Sequence, residues 1–457
     1  MNNTEQNELL TGDLKRNLLK ISLPTMFGFV LQAVYDMVDM IWIGRISASA
    51  VAGVTIFSTV FWLVSVLNEI IGSSSISLIT QSYGKNDVER TKKVVEQTLT
   101  FKALVAIIAA LIFSIILEPL LSFFTTDKEV LKAALDYGYI RMFFLPIMFS
   151  SYSVNTALRC LGDAKTPMKI MIVSSIANII LDPIFMFEKI PGTSIPGLNL
   201  GVFGAALATV ISTVIAFIMG FYILLKGNEK LKIDFRGLFQ LNWEIDKKLL
   251  TIGLPTGLEV LMRNLSGVII LKFVSNYGTD TVAAVGIGTR LFSFAFMPIV
   301  GIVMGASTIV GQALGAENIE RARDTARFAS VINMVMMGVL AFVSILFPAQ
   351  IMGIFIKDSN VIEIGIPMIR LLMPSLILAG LAMGLGSVFT GSGHNTPFLL
   401  SSFISRWAVQ VPMLVITTKL LKLPVIWVWL SFFAAEIAEV IIVLIHYNKG
   451  KWQTKRV

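Results

Sequence analysis

Four polar side chains interrupt the first long apolar stretch of the chain. Gln32, Tyr35, Asp36 and Asp39 fall at i, i+3, i+4 and i+7, a spacing that puts them on one face of a helix. A carboxylate at membrane depth costs about 2.5–3.5 kcal/mol even on lenient insertion scales, so such a group is shielded and put to use. A second constellation, Asn178 and Asp182, lies one turn apart in a later apolar run. Both would present oxygens from one helix face, and Pro183 removes the backbone donor to the carbonyl of Ile179. Carboxylates with neutral oxygens suit Na⁺, whereas two carboxylates held close together suit a shared proton. Both ions stay open.

Other chemistries lack their residues. The chain has no G-x-x-x-x-G-K-[ST] phosphate loop, no H-E-x-x-H and no C-x-x-C, so neither nucleotide hydrolysis nor a zinc site is expected. His394 and His446 are the two histidines, both near predicted helix ends, and Cys160 is the single cysteine, which excludes an internal disulfide. No resident cofactor is expected, only H⁺ or Na⁺ as a coupling ion.

The elements that must carry these residues are membrane helices. Of 457 residues, 55% are hydrophobic and 14% charged, and the mean hydropathy is +0.79; a soluble domain carries about 25% charged residues. Apolar segments of spanning length are read at 17–44, 51–80, 94–117, 131–158, 167–187, 202–225, 246–274, 282–311, 328–347, 359–390, 398–418 and 425–446. No alternating strand pattern appears, so the fold class is an all-α integral membrane protein of twelve transmembrane helices.

Lysine and arginine number 23 in one set of alternate loops and 7 in the other. That bias makes the first set cytoplasmic, with both termini on that side of the cell membrane. The net charge of +8 is thereby explained without a nucleic-acid partner. The N-terminal stretch Met1–Lys20 is polar, with three acidic residues, and lacks the order of a removable signal peptide.

The two halves repeat at an offset of 231 residues. Leu18-Leu19-Lys20-Ile21-Ser22-Leu23-Pro24-Thr25 matches Leu249-Leu250-Thr251-Ile252-Gly253-Leu254-Pro255-Thr256, and Gln81, Gly84, Glu89 and Arg90 match Gln312, Gly315, Glu320 and Arg321. A duplicated six-helix unit has an even number of spans. The two lobes therefore insert in one orientation, related by a pseudo-two-fold axis along the membrane normal. The expected organisation is a tail at 1–16, an N-lobe at 17–225, a linker at 226–245, a C-lobe at 246–446 and a tail at 447–457. At the repeat offset Asp36 and Asp39 become Gly267 and Ile270, and Asn155 becomes Gly386, so the polar machinery is concentrated in the N-lobe. In the C-lobe, Glu259 and Arg263 stand at i, i+4 and are expected to pair structurally.

These residues resemble the multidrug and toxic compound extrusion (MATE) transporters over essentially the whole chain. The specific pieces are Gln32-x-x-Tyr35-x-x-x-Asp39, Asn178-Ile179-Ile180-Leu181-Asp182-Pro183 and Gly201-Val202-Phe203-Gly204-Ala205-Ala206-Leu207-Ala208-Thr209. The resemblance implies an antiporter that exports organic cations and drugs in exchange for H⁺ or Na⁺, and the N-lobe acids point to the DinF-like prokaryotic branch. It implies an ion site at Asp39, Asn178, Asp182 and Thr209, which would be metal ligands only if Na⁺ is the coupling ion. Gln32, Tyr35, Tyr137 and Asn155 look like cavity positions, with Asp36 beside them, and Pro24 like the proline that lets the first helix bend. A helix-10 acid used by another branch is missing here. The implied partners are small-molecule drugs and membrane lipid, and the protein is expected to be a monomer. A lipid or polysaccharide-precursor flippase of the wider superfamily is the rival reading. An intramembrane aspartyl enzyme is a more distant one, since Gly-x-Gly-Asp is absent.

Overall fold

The computed structural model describes residues 8–227 and 231–457. The first seven residues of the expected N-terminal tail, and residues 228–230 of the expected linker, lie outside the described residues. The helices of the first repeat are α1 (Leu14–Gly44), α2 (Ala48–Gly84), α3 (Val88–Ser122), α4 (Lys128–Phe143), α5 (Leu145–Cys160), α6 (Lys165–Met186) and α7 (Gly201–Lys226). Those of the second are α8 (Trp243–Val274), α9 (Thr279–Gly315), α10 (Ile319–Leu346), the short α11 (Pro348–Phe355), α12 (Ser359–Ser392), α13 (Thr396–Leu420) and α14 (Ile426–Lys449). Twelve spanning rods result among the described residues, with α4 and α5 together forming the fourth. Ten of the helices are individually long and apolar enough to cross a membrane. The only β pairing among the described residues is one bridge, Lys189 to Pro196.

The span expected at 131–158 breaks at Phe144. Pro146 lacks an N–H, and its ring crowds the carbonyl of Met142. The span expected at 398–418 widens into π turns at Phe403–Gln410 and Val415–Leu420. Pro412 sits between them, where it withdraws one donor from the ladder.

The duplication reaches down to single backbone positions. Helix starts at Ala48 and Thr279, at Val88 and Ile319, and at Lys128 and Ser359 are each 231 residues apart. The same interval separates the N-caps Asp87 and Asn318, and Asp127 and Asp358. It also separates the left-handed Asn86 (φ 58°) from Glu317 (φ 60°), and Gly162 from Gly393. Asp, Asn and Gly tolerate these capping and turn conformations at little cost, whereas Glu317 holds the left-handed conformation without that tolerance.

Packing divides the chain into two compact units at positions inside α1 and α8. One unit is Phe27–Gly253; the other joins the residues up to Met26 with Leu254–Val457. In the second of these, the opening turns of α1 lie so close to α9 that a Cβ on Gly305 would fall 2.2 Å from Ser22 Oγ, and one on Gly301 would fall 2.5 Å from Met26 Cα. Leu18 there is fully buried among Ile302, Ala306 and Ile309. In the other unit, a Cβ on Gly253 of α8 would collide with the carbonyl of Ile70 in α2. Glycine at these places permits backbone contact that lipid-facing helices otherwise lack. Pro24 and Pro255, both inside their helices, stand within a turn of the two division points.

Within the unit Phe27–Gly253 the linker is tied along α3. Glu96 Oε1 accepts from the Asp234 amide at 2.7 Å, Gln97 Oε1 accepts from Asn242 N at 2.9 Å, and Thr100 Oγ1 donates to Leu238 O at 2.6 Å. Gln97 Nε2 also donates to the carbonyl of Gln240.

Candidate ion and substrate site

The four-residue stripe of α1 opens onto a cavity of about 360 Å³ inside the unit Phe27–Gly253. Gln32, Tyr35, Asp36 and Asp39 all line it, as do Tyr137 from α4, Asn155 from α5 and Thr209 from α7. Asp39 is buried, with 7% of its surface exposed, whereas Asp36 is exposed on the cavity side. The Tyr137 hydroxyl donates to Asp39 Oδ2 at 3.4 Å and accepts from Arg141 Nη1 at 3.0 Å. Tyr137 is itself set by Phe57, edge-on at 5.5 Å. Phe57 has room because residue 138 is glycine, where a Cβ would come within 2.8 Å of the ring.

Asn178 and Asp182 are fully buried on α6 and do not line the cavity. Asn178 Nδ2 donates to Asp182 Oδ1 at 3.2 Å, so the i, i+4 spacing has made an internal pair. Their other oxygens, Asn178 Oδ1 and Asp182 Oδ2, have no donor, and neither has Asp39 Oδ1. The charge of Asp39 acts on Asp182. Thr209 Oγ1 is occupied by the carbonyl of Ala205 at 3.1 Å. An unsatisfied buried acceptor costs about 1–3 kcal/mol; the two carboxylate oxygens have the chemistry to take up a proton, and all three oxygens that to ligate a cation.

Two cations in this unit were not anticipated from the sequence. Arg141 lines the cavity, one turn after Tyr137, and lies over the Phe61 ring at 4.8 Å. Their i, i+4 relation in an otherwise apolar stretch was the available signal. Lys102 on α3 is fully buried, with its Nζ 4.6 Å from the Tyr152 ring centroid and under the influence of the Glu69 charge. Cross-helix partners of this kind carry no sequence spacing.

The other unit holds a charged cluster of its own. Arg263 reaches Glu259 at 2.7 Å and Glu439 at 3.0 Å, while Arg406 reaches Glu436 at 2.5 Å and Glu439 at 3.7 Å. The Glu259–Arg263 pair is thus present but belongs to a five-residue network. A cavity of about 200 Å³ beside it is lined by Arg263, Arg406, Glu436, Trp429, Phe292 and Phe432.

A polar, charge-bearing cavity enclosed by spanning helices defines a multi-pass membrane transporter built from a duplicated six-helix repeat. The MatE family model matches residues 24–184 and again 255–416, two stretches whose starts are separated by the repeat offset. The chain belongs to the MATE family. It is 30% identical over 445 residues to the probable multidrug resistance protein YoeA of Bacillus subtilis, covering 97% of this chain and 95% of that one. It is 26% identical to the probable multidrug resistance protein NorM of Thermotoga maritima, covering 97% and 94%. A Pyrococcus furiosus transporter of the MOP superfamily, described as having a binding pocket of reverse polarity, superposes with a TM-score of 0.88 at 24% identity, over 98% of both chains. A MATE structure in a bent conformation superposes at 0.87 and 25% identity, over 98% of this chain and 97% of that one.

Proposed function

We propose that this protein exports organic cations and drugs across the cell membrane in exchange for H⁺ or Na⁺. It is a MATE multidrug efflux transporter and not an enzyme, as its multidrug-resistance relatives are transporters. The observation that carries the coupling is the set of buried oxygens lacking donors, Asp39 Oδ1, Asn178 Oδ1 and Asp182 Oδ2. Asp39 alone of the three also lines the cavity. A proton or Na⁺ taken up at these oxygens would neutralise Asp39 and weaken its hold on a cationic substrate, and substrate arriving first would repel the ion. Such mutual exclusion is what exchange requires. The change of charge on α1 would be passed to the helix near Pro24, where the chain passes from one compact unit to the other.

The 23-to-7 distribution of basic residues supports a topology with both termini on the cytoplasmic side. The test uses everted membrane vesicles energised with a pH or a Na⁺ gradient. Adding a transported cation should dissipate one of the gradients, and Asp39→Asn should abolish that response. Normal gradient-coupled export by Asp39→Asn would refute the mechanism.

A further inference from the structure

The export cycle above leaves one buried charge-bearing group of the unit Phe27–Gly253 unused. Lys102 is fully buried on α3, and its Nζ has no hydrogen-bond partner among the described residues. A lysine kept only to neutralise Glu69 would close onto that carboxylate as a hydrogen-bonded pair. Lys102 instead faces aromatic rings, with Nζ 4.6 Å from the Tyr152 ring centroid and 5.9 Å from that of Phe149. Glu69 of α2 acts on it through space, and Tyr152 of α5 is the other titratable group that faces it. Arg159 and Cys160, on the same helix as Tyr152, act on that phenol. No hydrogen bond therefore has to break when the amine gains or loses a proton. Tyr152, Phe149 and Asn68 all line the cavity that Asp39 faces, so Lys102 lies directly behind its wall.

The two groups stand at different depths. Asp39 is near the Gly44 end of α1, about 37 Å from the start of that helix at Leu14 at the usual rise per residue. Lys102 is about 21 Å from the start of α3 at Val88. Both starts lie on the side of the basic loops, read as cytoplasmic. A proton taken up at Asp39 thus has most of the membrane still to cross, and Lys102 stands partway. On its other side α2 comes close, since a Cβ on Gly72 would lie 3.6 Å from Nζ. From there to its Gly84 end α2 carries the buried hydroxyls of Ser73, Ser74, Ser75, Ser77, Thr80 and Ser82. Ser82 Oγ accepts from Thr91 Oγ1 of α3 at 3.0 Å. A hydroxyl donates and accepts through one oxygen, as passage of a proton requires.

We propose that Lys102 is a second proton site of the transport cycle, which receives the proton taken up at Asp39 and passes it on to the cytoplasmic side. This rests on the export reading above and selects H⁺ as its ion. Solvent in the cavity carries the proton from the Asp39 carboxyl to the Tyr152 wall. There it joins the Nζ lone pair, leaving Asp39 a carboxylate and Lys102 an ammonium. The ammonium then releases the same proton along α2 to the cytoplasmic water and returns to the amine. Lys102 does not line the cavity, so the binding of cargo, and the exchange of one cargo molecule for another, do without it.

The test uses the full chain in proteoliposomes, with radiolabelled ethidium as the probe, in two assays on each protein. Uptake driven by an acidic lumen requires the proton to cross. Exchange of external label for unlabelled ethidium in the lumen, at equal pH, does not. The wild type should perform both. Lys102→Met keeps the bulk of the side chain and loses the amine; its exchange should stay within about three-fold of wild type while driven uptake falls at least ten-fold. Lys102→His restores a titratable nitrogen of lower basicity, and should recover driven uptake with its pH optimum moved to acid. The ratio of driven uptake to exchange within one protein does not depend on how much of it has folded. A ratio unchanged from wild type in Lys102→Met would overturn the proposal, and so would a Lys102→His variant no better coupled than Lys102→Met. If the wild type exchanges ethidium but is driven by a Na⁺ gradient alone, Lys102 loses its assignment while the export reading stands. If the wild type neither exchanges nor accumulates ethidium, the export of organic cations fails and takes this proposal with it.

Discussion

The hydroxyl of Tyr137 lies 3.4 Å from Asp39 Oδ2, so the one buried carboxylate of α1 is tethered to α4 through a single phenol. The phenol oxygen of Tyr137 also accepts from Arg141 Nη1. Replacing Tyr137 by Phe keeps the ring on Phe57 and removes the tether. Without the tether Asp39 is no longer held in one position on the cavity wall, so substrate affinity should fall ten-fold or more. A lost hydrogen bond to a charged group costs the fold about 1.5–3 kcal/mol, so the melting temperature should drop by a few degrees. Binding and thermal melts on the same preparation measure both; an unchanged affinity would remove Tyr137 from the site.

Asp182 offers a cleaner separation of ion from cargo. It is fully buried and lies off the cavity wall, and its Oδ2 has no donor. Asp182→Asn is isosteric and removes the charge. Gradient-driven efflux should drop by at least ten-fold while equilibrium binding of substrate to the purified protein changes less than three-fold, since no cargo contact is lost. Parallel loss of both would assign Asp182 to cargo recognition instead.

The contact between α1 and α9 gives a packing prediction. Gly305→Leu would force side-chain atoms into Ser22, whose Oγ lies 2.2 Å from the position of a Cβ. Overpacking of this kind costs about 1–3 kcal/mol, and a few degrees should be lost from the melting temperature in detergent. Gly338, where a Cβ would meet nothing within 4 Å, is the control, and Gly338→Ala should be neutral. Equal stability of the two variants would show that the close approach is dispensable.

Much of this was legible because membrane helices make polar residues conspicuous. Gln32, Tyr35, Asp36 and Asp39 announced a face by spacing alone, and all four line the cavity. The repeat was equally visible, since caps and turns such as Asp127 and Asp358 depend on local backbone geometry that duplication copies. What spacing cannot give is which helices meet. Arg141 shares a face with Tyr137, yet its place in the cavity depends on how α4 packs against α1. The division of α1 at Met26 is likewise a tertiary fact: Ser22 finds Gly305 across more than half the chain. Pro146 did mark a break, and the apolar run around it concealed the mark.

The charge network of the unit ending at Val457 yields the last prediction. Arg406, on the π turn of α13, sits 2.5 Å from Glu436 and 3.7 Å from Glu439, and Arg406 and both glutamates are buried. Arg406 is also bonded to Gln410 one turn on, with Nη1 donating to Oε1 at 3.2 Å. Removing one partner of a buried ion pair costs about 3–5 kcal/mol because the other is left uncompensated, whereas removing both is often close to neutral. Arg406→Gln should therefore strip the network of half its positive charge and sharply lower thermal stability. Adding Glu436→Gln to it should recover most of the loss, since Arg263 then faces Glu259 and Glu439 much as before. A double-mutant cycle on melting in detergent reads this as a coupling energy. Additive losses would mean that Arg406 and Glu436 stabilise the fold through separate contacts and that the 2.5 Å pair is not the unit that matters.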